Sequence, residues 1–393
     1  MAAGGLERLT GTCQVGDAWF AERAADAPTV ARVDGREVDF AEAVEASAAI
    51  LGEARLPLVC GLGQTDCESQ RAAVALAEAV GAVIDPAGPL QGAVGASSQA
   101  IGLSTATFGD LRDRAELVVV WRADPVASHP RLLPRLRLDR AGRAADRKLV
   151  VVDAGRTATA EEADDFIELP PELDFEALWA LRALVRDAPL DRDLAPRLPL
   201  DALEQLAVRL QGSRYGAVLH GPAGYADALA LLALVRDLAR IAHVVALPLR
   251  QDGNARGAED VLAWQTGYPA AVSFARGHPR ARPGEFSAAG LLERAETDAA
   301  LIVGFDALRH LPPRAAGHLR RIPTIVVDRR STETAAAARV AFATATAGIE
   351  REGTAHRMDG VPVTLHAPLR SERVGDGEVL AAIEARIAGD EGT

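Results

Sequence analysis

A short segment that occurs twice restricts this chain more than any other feature. Residues 149–163 read LVVVDAGRTATAEEA and residues 324–338 read TIVVDRRSTETAAAA, so Asp153 matches Asp328, Thr157 matches Thr332, Thr159 matches Thr334 and Ala160 matches Ala335. Each copy opens on an apolar, β-branched run without polar alternation, as expected of a parallel strand buried on both faces. The Asp ends the strand, and a Thr ahead of an Ala-rich run can cap the first turn of a helix. LPLVCGLGQTDCESQRAAVALAEAVG (56–81) and YGAVLHGPAGYADALALLALVRDLA (215–239) share a second plan of strand, glycine loop and helix. ELVVVW (116–121) and ALIVGF (300–305) add one short buried strand each. This alternation predicts an α/β fold with parallel sheets, helices on both faces and right-handed crossovers.

The two copies suggest tandem halves. The Pro-, Asp- and Leu-rich stretch APLDRDLAPRLPLDALEQL (188–206) supplies a joint, which places one α/β domain over residues 46–205 and another over 206–393. Residues 1–45 read as a small β-rich segment, with a hairpin in TVARVDGREVDF (29–40) turning at Asp34-Gly35. From Gly348 the chain reads as loop and then helix.

Charge and cysteine usage narrow the function classes. With 43 basic against 55 acidic side chains, a net charge of −12, the chain lacks the basic surface that nucleic acid requires. Cys13, Cys60 and Cys67 are too few for a disulfide framework, and without CxxC or HxxxH spacing no structural zinc site is expected. Burial is the simpler role for these thiols. MAAGGLERLTG lacks the layout of a signal peptide, and no apolar run approaches the ~18–20 residues that span a bilayer. A cytoplasmic location without a membrane partner is the expectation.

Candidate chemistry is sparse. Gly61-Leu62-Gly63 could cradle a phosphate at a helix N-terminus or be a structural turn, and Asp66, at the third glycine position of the dinucleotide fingerprint, would repel an anion. The loop His220-Gly221-Pro222-Ala223-Gly224 leaves the same two alternatives open. Asp153 and Asp328 stand where Rossmann-type proteins grip a ribose or guanine. No nucleophile elbow is present. Residues 131–148 carry seven basic and two acidic side chains. They form either a solvated face or a docking surface for an acidic partner subunit or a polyanionic carrier tail, with Arg131, Arg135 and Arg137 as contact candidates. WQTGYPAAVSFARGHPRARPGEF (264–286) and AGIEREGTAHRMDGVPV (347–363) have neither helical nor strand periodicity and could line a cleft or pack as ordinary loops.

Taken in order, VDFAEAVEASAAIL, GAVIDPAG, TFGDLRDRAELVVVWRADPVASHPR, DRKLVVVDAGRTATAEEADDFIEL, PLRQDGNARGAEDVLAWQTGYP, RGHPRARPGEF, IPTIVVDRRSTETA and GIEREGTAHRMDGVPV resemble the molybdopterin oxidoreductase superfamily. The likeness is to the B subunit of formylmethanofuran dehydrogenase and, more closely, to its counterpart in the formyltransferase/hydrolase complex of methylotrophic bacteria. It covers about residues 29–366. It implies two Rossmann-like parallel-sheet domains of the molybdopterin oxidoreductase type, here without a C-terminal β-barrel. Gly61, Gly63, His129, Asp153, Asp328 and Arg357 would mark a vestigial pterin cleft.

Departures from the family pattern matter as much. Active members bind a [4Fe–4S] cluster through an N-terminal group of cysteines, where this chain has GTCQVGDAWF with Cys13 alone. They also present a cysteine or selenocysteine to molybdenum or tungsten after the strand ending in Ile-Asp. Leu90 or Gln91 occupies that place here, with Gln91 at the adjacent histidine position, and neither offers a soft thiolate. The resemblance therefore implies a chain without its own catalytic activity, tungsto- or molybdopterin, or iron–sulfur cluster. Its partners would be the hydrolase A and C and formyltransferase D subunits, in tetrahydromethanopterin-linked oxidation of formaldehyde to formate. The competing readings are an active dehydrogenase with unusual metal ligation and a nucleotide-binding regulatory protein.

Overall fold

The structure is a computed structural model that describes residues 10–24, 30–86, 91–190, 197–221, 224–369 and 371–390. Its strands are β1 (Ala31–Val33), β2 (Arg36–Val38), β3 (Pro57–Gly61), β4 (Val83–Asp85), β5 (Leu117–Trp121) and β6 (Lys148–Asp153). There follow β7 (Asp165–Glu168), β8 (Gly216–His220), β9 (Val244–Pro248), β10 (Val272–Ser273) and β11 (Arg280–Ala281). The chain then forms β12 (Ala299–Val303), β13 (Thr324–Val327), β14 (Val340–Phe342), β15 (Gly353–His356) and β16 (Pro362–Leu365). One sheet has the order β11-β10-β4-β3-β12-β13-β14-β1-β2 and another the order β7-β6-β5-β8-β9; β15 and β16 pair as a separate hairpin.

The repeated strands are buried as their composition requires. Leu301, Val303, Ile325 and Val327 pack on one face of the larger sheet, with Leu51, Leu76 and the C-terminal-helix residues Val379, Leu380 and Ile383. Their alternates Ala300, Ile302 and Val326 pack on the other face, with Leu291, Leu292 and Leu319. Leu117, Val119, Val150, Val152 and Val218 form the core of the smaller sheet. Such double-sided burial is possible because parallel strands are joined through helices that cover both faces.

The chain does not divide at residue 205. Among the described residues, one compact unit takes residues 10, 17–95 and 252–390, and the other takes 11–16 and 96–251. The tandem division fails because each sheet joins strands from both expected domains. β3 runs parallel to β12, with Leu58 opposite Ala300 and Gly61 opposite Val303, and β5 runs parallel to β8, with Leu117 opposite Gly216. A parallel neighbour is reached through a crossover of any length, so order along the chain does not specify order in the sheet. The two copies of the repeat accordingly lie in different sheets, one on β6 and one on β13.

The N-terminal segment also differs from a purely β-rich one. It contains the helix Gln14–Ala24, and the expected hairpin follows, turning at Asp34 (φ 48°) and Gly35 (φ 76°). Positive φ at both central residues suits the right-handed twist of the two strands. The hairpin is not a separate module, because β1 pairs antiparallel with β14 at the sheet edge. No helix among the described residues is long and apolar enough to cross a membrane.

Backbones approach closely where β5 and β8 end. A Cβ on Gly221 would collide with the Arg122 carbonyl oxygen, whereas one on Gly155 would meet open space. Gly221→Ala should therefore lower the unfolding free energy by about 2–3 kcal/mol, with Gly155→Ala close to neutral. Urea denaturation of the two variants checks this, and equal midpoints would contradict the packing described.

Candidate functional site

Each sheet reverses its winding once. β3 leads outward to β4 while its neighbour β12 leads to β13 in the opposite direction, and β5 leads to β6 while β8 leads to β9. At such a switch point the carboxyl ends of adjacent strands part, and open α/β sheets bind ligands in the crevice so formed. The chain thus has two crevices of common design, one per unit.

The same clamp builds the edge of both. Asp124, three residues beyond β5, accepts from the Thr159 backbone N–H (3.0 Å) and hydroxyl (2.5 Å), and the Thr159 oxygen accepts from the Val126 N–H (3.1 Å). Asp306, three residues beyond β12, accepts from the Thr334 N–H (3.1 Å) and hydroxyl (2.6 Å), whose oxygen accepts from the Leu308 N–H (2.9 Å). Thr157 and Thr332 cap the short helices that follow, accepting from Ala160 and Ala335. Sequence reasoning found the threonines and missed Asp124 and Asp306. Their shared position three residues beyond a buried strand was the available signal.

In the crevice of the first unit the glycine loop is used internally. Gly61 (φ 102°) presses on the Val303 carbonyl, and a Cβ on Gly63 would come within 2.7 Å of the Asp252 carboxylate. Asp66 caps the helix Cys67–Ala79 by accepting from the Ser69 N–H at 2.7 Å, so a carboxylate already occupies that N-terminus. Gln64 donates to Asp252 (2.9 Å) and accepts from the Trp19 indole (3.2 Å) and the buried Arg23 guanidinium (3.2 Å). Burial, together with the nearby Arg330, pushes the Arg23 pKa down to about 10. Asp328 accepts from Arg330 through its backbone N–H (2.8 Å) and guanidinium (2.7 Å), and the same guanidinium donates to the Gly304 carbonyl (3.1 Å). Gly61, Gly63 and Asp328 therefore lie in this unit, where each faces protein groups.

In the second unit Arg122 (φ 51°) holds Asp174 through contacts of 2.7 and 2.8 Å and lies 3.5 Å from Asp153. His220, at the end of β8, is buried; burial pushes its pKa down to about 4, and Arg250 adds to the shift. His129 reaches the Arg250 carbonyl at 2.8 Å. His129 and Asp153 thus fall in this unit, and Gly61 and Gly63 in the first. Arg357, in the first unit, is paired through two 2.6 Å contacts with the buried Asp359. Leu90 lies outside the described residues, as does the side chain of Gln91, which opens the helix Gln91–Ile101. Cys60 and Cys67 are buried, as expected, and burial raises both thiol pKa values.

No family model matches the chain. The structural comparisons show a protein of the molybdopterin oxidoreductase fold. Acetylene hydratase from Pelobacter acetylenicus superposes with a TM-score of 0.64 at 13% identity, over 97% of this chain and 64% of that one. A chain of the formyltransferase/hydrolase complex FhcABCD from Methylorubrum extorquens, crystallised with methylofuran, superposes with a TM-score of 0.75 at 26% identity, over 92% of this chain and 100% of that one. The B subunit of tungsten-containing formylmethanofuran dehydrogenase 2 is 35% identical in Methanocaldococcus jannaschii, over 84% of this chain and 79% of that protein. In Methanococcus maripaludis it is 30% identical over 90% and 85%. The B subunit of the formyltransferase/hydrolase complex Fhc of M. extorquens is 29% identical over 68% of this chain and 73% of that protein. The chain belongs to the family of formylmethanofuran dehydrogenase B subunits.

Electrostatics in the first unit give a pH test. Burial pushes the Asp376 pKa up to about 7, with the charges of Asp66 and Asp328 adding to the shift and a 2.5 Å bond from the Thr344 hydroxyl opposing it. Folded Asp376 thus keeps its proton to about pH 7, whereas the unfolded chain loses it near pH 4, so its stabilising contribution is complete below about pH 4 and is lost as pH rises to 7. Relative to Asp376→Asn, the wild-type chain should lose about 1–2 kcal/mol between pH 5 and pH 8. Parallel urea-midpoint profiles for the two proteins would refute the assignment.

Proposed function

We propose that this chain is a structural subunit without a redox centre in a cytoplasmic assembly of the formyltransferase/hydrolase type. There it would join hydrolase A and C and formyltransferase D subunits in tetrahydromethanopterin-linked one-carbon metabolism. Donor supply carries this reading. A [4Fe–4S] cluster takes four thiolates; the chain has three cysteines in total, and two of them are buried in the first unit. Cys67 accepts from the Asn254 amide at 3.6 Å, a role within the fold. Leu90 or Gln91 stands where the family places its soft metal ligand. The residues do not fit the iron–sulfur group, and the glycine loop of the first unit does not fit a phosphate.

Formyl transfer and hydrolysis move no electrons, so a subunit that keeps the scaffold and lacks the relay suits such a complex. The similarity to a chain of FhcABCD over its whole length supports the same reading. The higher identity to the tungsten-containing relatives favours the runner-up, an active dehydrogenase with unusual ligation.

Metal analysis separates the two. The native assembly, purified without denaturation, should contain far less than one tungsten or molybdenum per copy of this chain, show no iron–sulfur absorbance near 400 nm, and include hydrolase and formyltransferase subunits by mass spectrometry. One heavy metal per chain would overturn the proposal in favour of the runner-up.

A further inference from the structure

β6, β5 and β8 are adjacent and parallel, so the residues that precede them collect at one end of the sheet, opposite the crevice at their carboxyl ends. Glu116, Arg147 and Arg214 arrive there, and with Arg112, Arg114 and Arg137 they line a recess of about 370 Å³. Five arginines face three carboxylates, those of Asp113, Glu116 and Asp146, in a chain whose overall charge is −12. A volume of this size fits a small molecule better than a single ion.

The floor is Arg147, only 9% exposed. Its guanidinium donates to the carbonyls of Ala115 (2.7 Å), Leu111 (2.9 Å), Leu136 (2.9 Å), Arg137 (3.1 Å) and Arg112 (3.3 Å), closing the last turns of the helices Phe108–Arg114 and Leu132–Leu136. Carbonyl dipoles, with no ion pair among the described residues, therefore balance this buried charge. At the rim, Arg112 is paired with Asp113 at 2.7 Å and Arg214 with Glu116. Arg114 lies over the Tyr215 ring, 4.6 Å from its centre. Arg137 is exposed and, without a salt bridge among the described residues, lies close enough to Asp113 to join Arg112 in lowering its carboxyl pKa. It holds φ 55° at the C-cap, a position that favours glycine.

We infer that this recess binds a small polyanion bearing two or more phosphate or carboxylate groups, engaged by Arg137 and its neighbours above the Arg147 charge. Guanidinium groups suit both chemistries through paired N–H···O contacts. Such binding is independent of any cofactor in the crevice, because the recess lies at the opposite end of the sheet. It also separates Arg137 from Arg131, which donates to the Gly11 carbonyl, and from Arg135, which lies over Phe108.

Arg137→Gly makes a clean test, since glycine relieves the left-handed backbone and removes the charge. Isothermal titration of the full chain at about 50 mM salt, with pyrophosphate and separately with citrate, should show one site per chain for at least one probe. Arg137→Gly should weaken that binding at least tenfold without lowering Tm, and the exposed Arg314→Ser should leave it unchanged. The stronger probe identifies phosphate or carboxylate as the preferred class. Absence of binding by both probes, or equal affinity in folded Arg137→Gly, would overturn the inference.

Discussion

Two parallel strand pairs, β3 with β12 and β5 with β8, set everything else in this molecule. A parallel pair cannot be closed by a tight turn and needs a crossover. Between β4 and β10 the chain passes through an entire second unit before it returns to the first sheet. The winding reverses at each of these pairs, so each also opens a crevice at its carboxyl end. The Asp–Thr clamps, Asp124 with Thr159 and Asp306 with Thr334, tie the loop after one strand to the helix after the next and so keep each crevice edge in shape.

The clamps and the crevice floors differ in what they leave for chemistry. The clamp distances agree between the units to within about 0.2 Å. The floors do not agree. The first unit presents Gln64 held by Trp19 and Arg23, a carboxylate on the helix N-terminus, and glycines pressed against protein groups. The second presents Arg122 on Asp174 and a buried neutral imidazole at His220.

The arginine-rich segment shows how one composition divides into several roles. Arg147 is a structural cation that ends two helices, Arg143 is largely spent on the Leu138 and Glu162 carbonyls, and Arg131 reaches back to Gly11. Arg131, Arg135, Arg137, Arg140 and Lys148 face outward, and of these only Arg137 lines the recess at the amino ends of the strands. Density of charge along the sequence would have assigned all of these side chains to one surface.

Burial on both faces demands continuous β-branched runs, and capping demands Thr ahead of a helix, so the strands, the hairpin at Asp34-Gly35 and the repeated strand–turn–helix were legible from residues alone. Both are local constraints, satisfied within a few positions of the chain. Which strand lies beside which was not legible, because any buried parallel strand offers the same hydrogen-bonding edge, and only packing of helices over distant segments selects the neighbour. For that reason the division at 205 fails, and Gly61 and Arg357 belong to one unit while His129 and Asp153 belong to the other. The number of cysteines, three, is a matter of composition alone. Whether a glycine loop receives a phosphate or an Asp252 side chain is settled only where the chain meets itself.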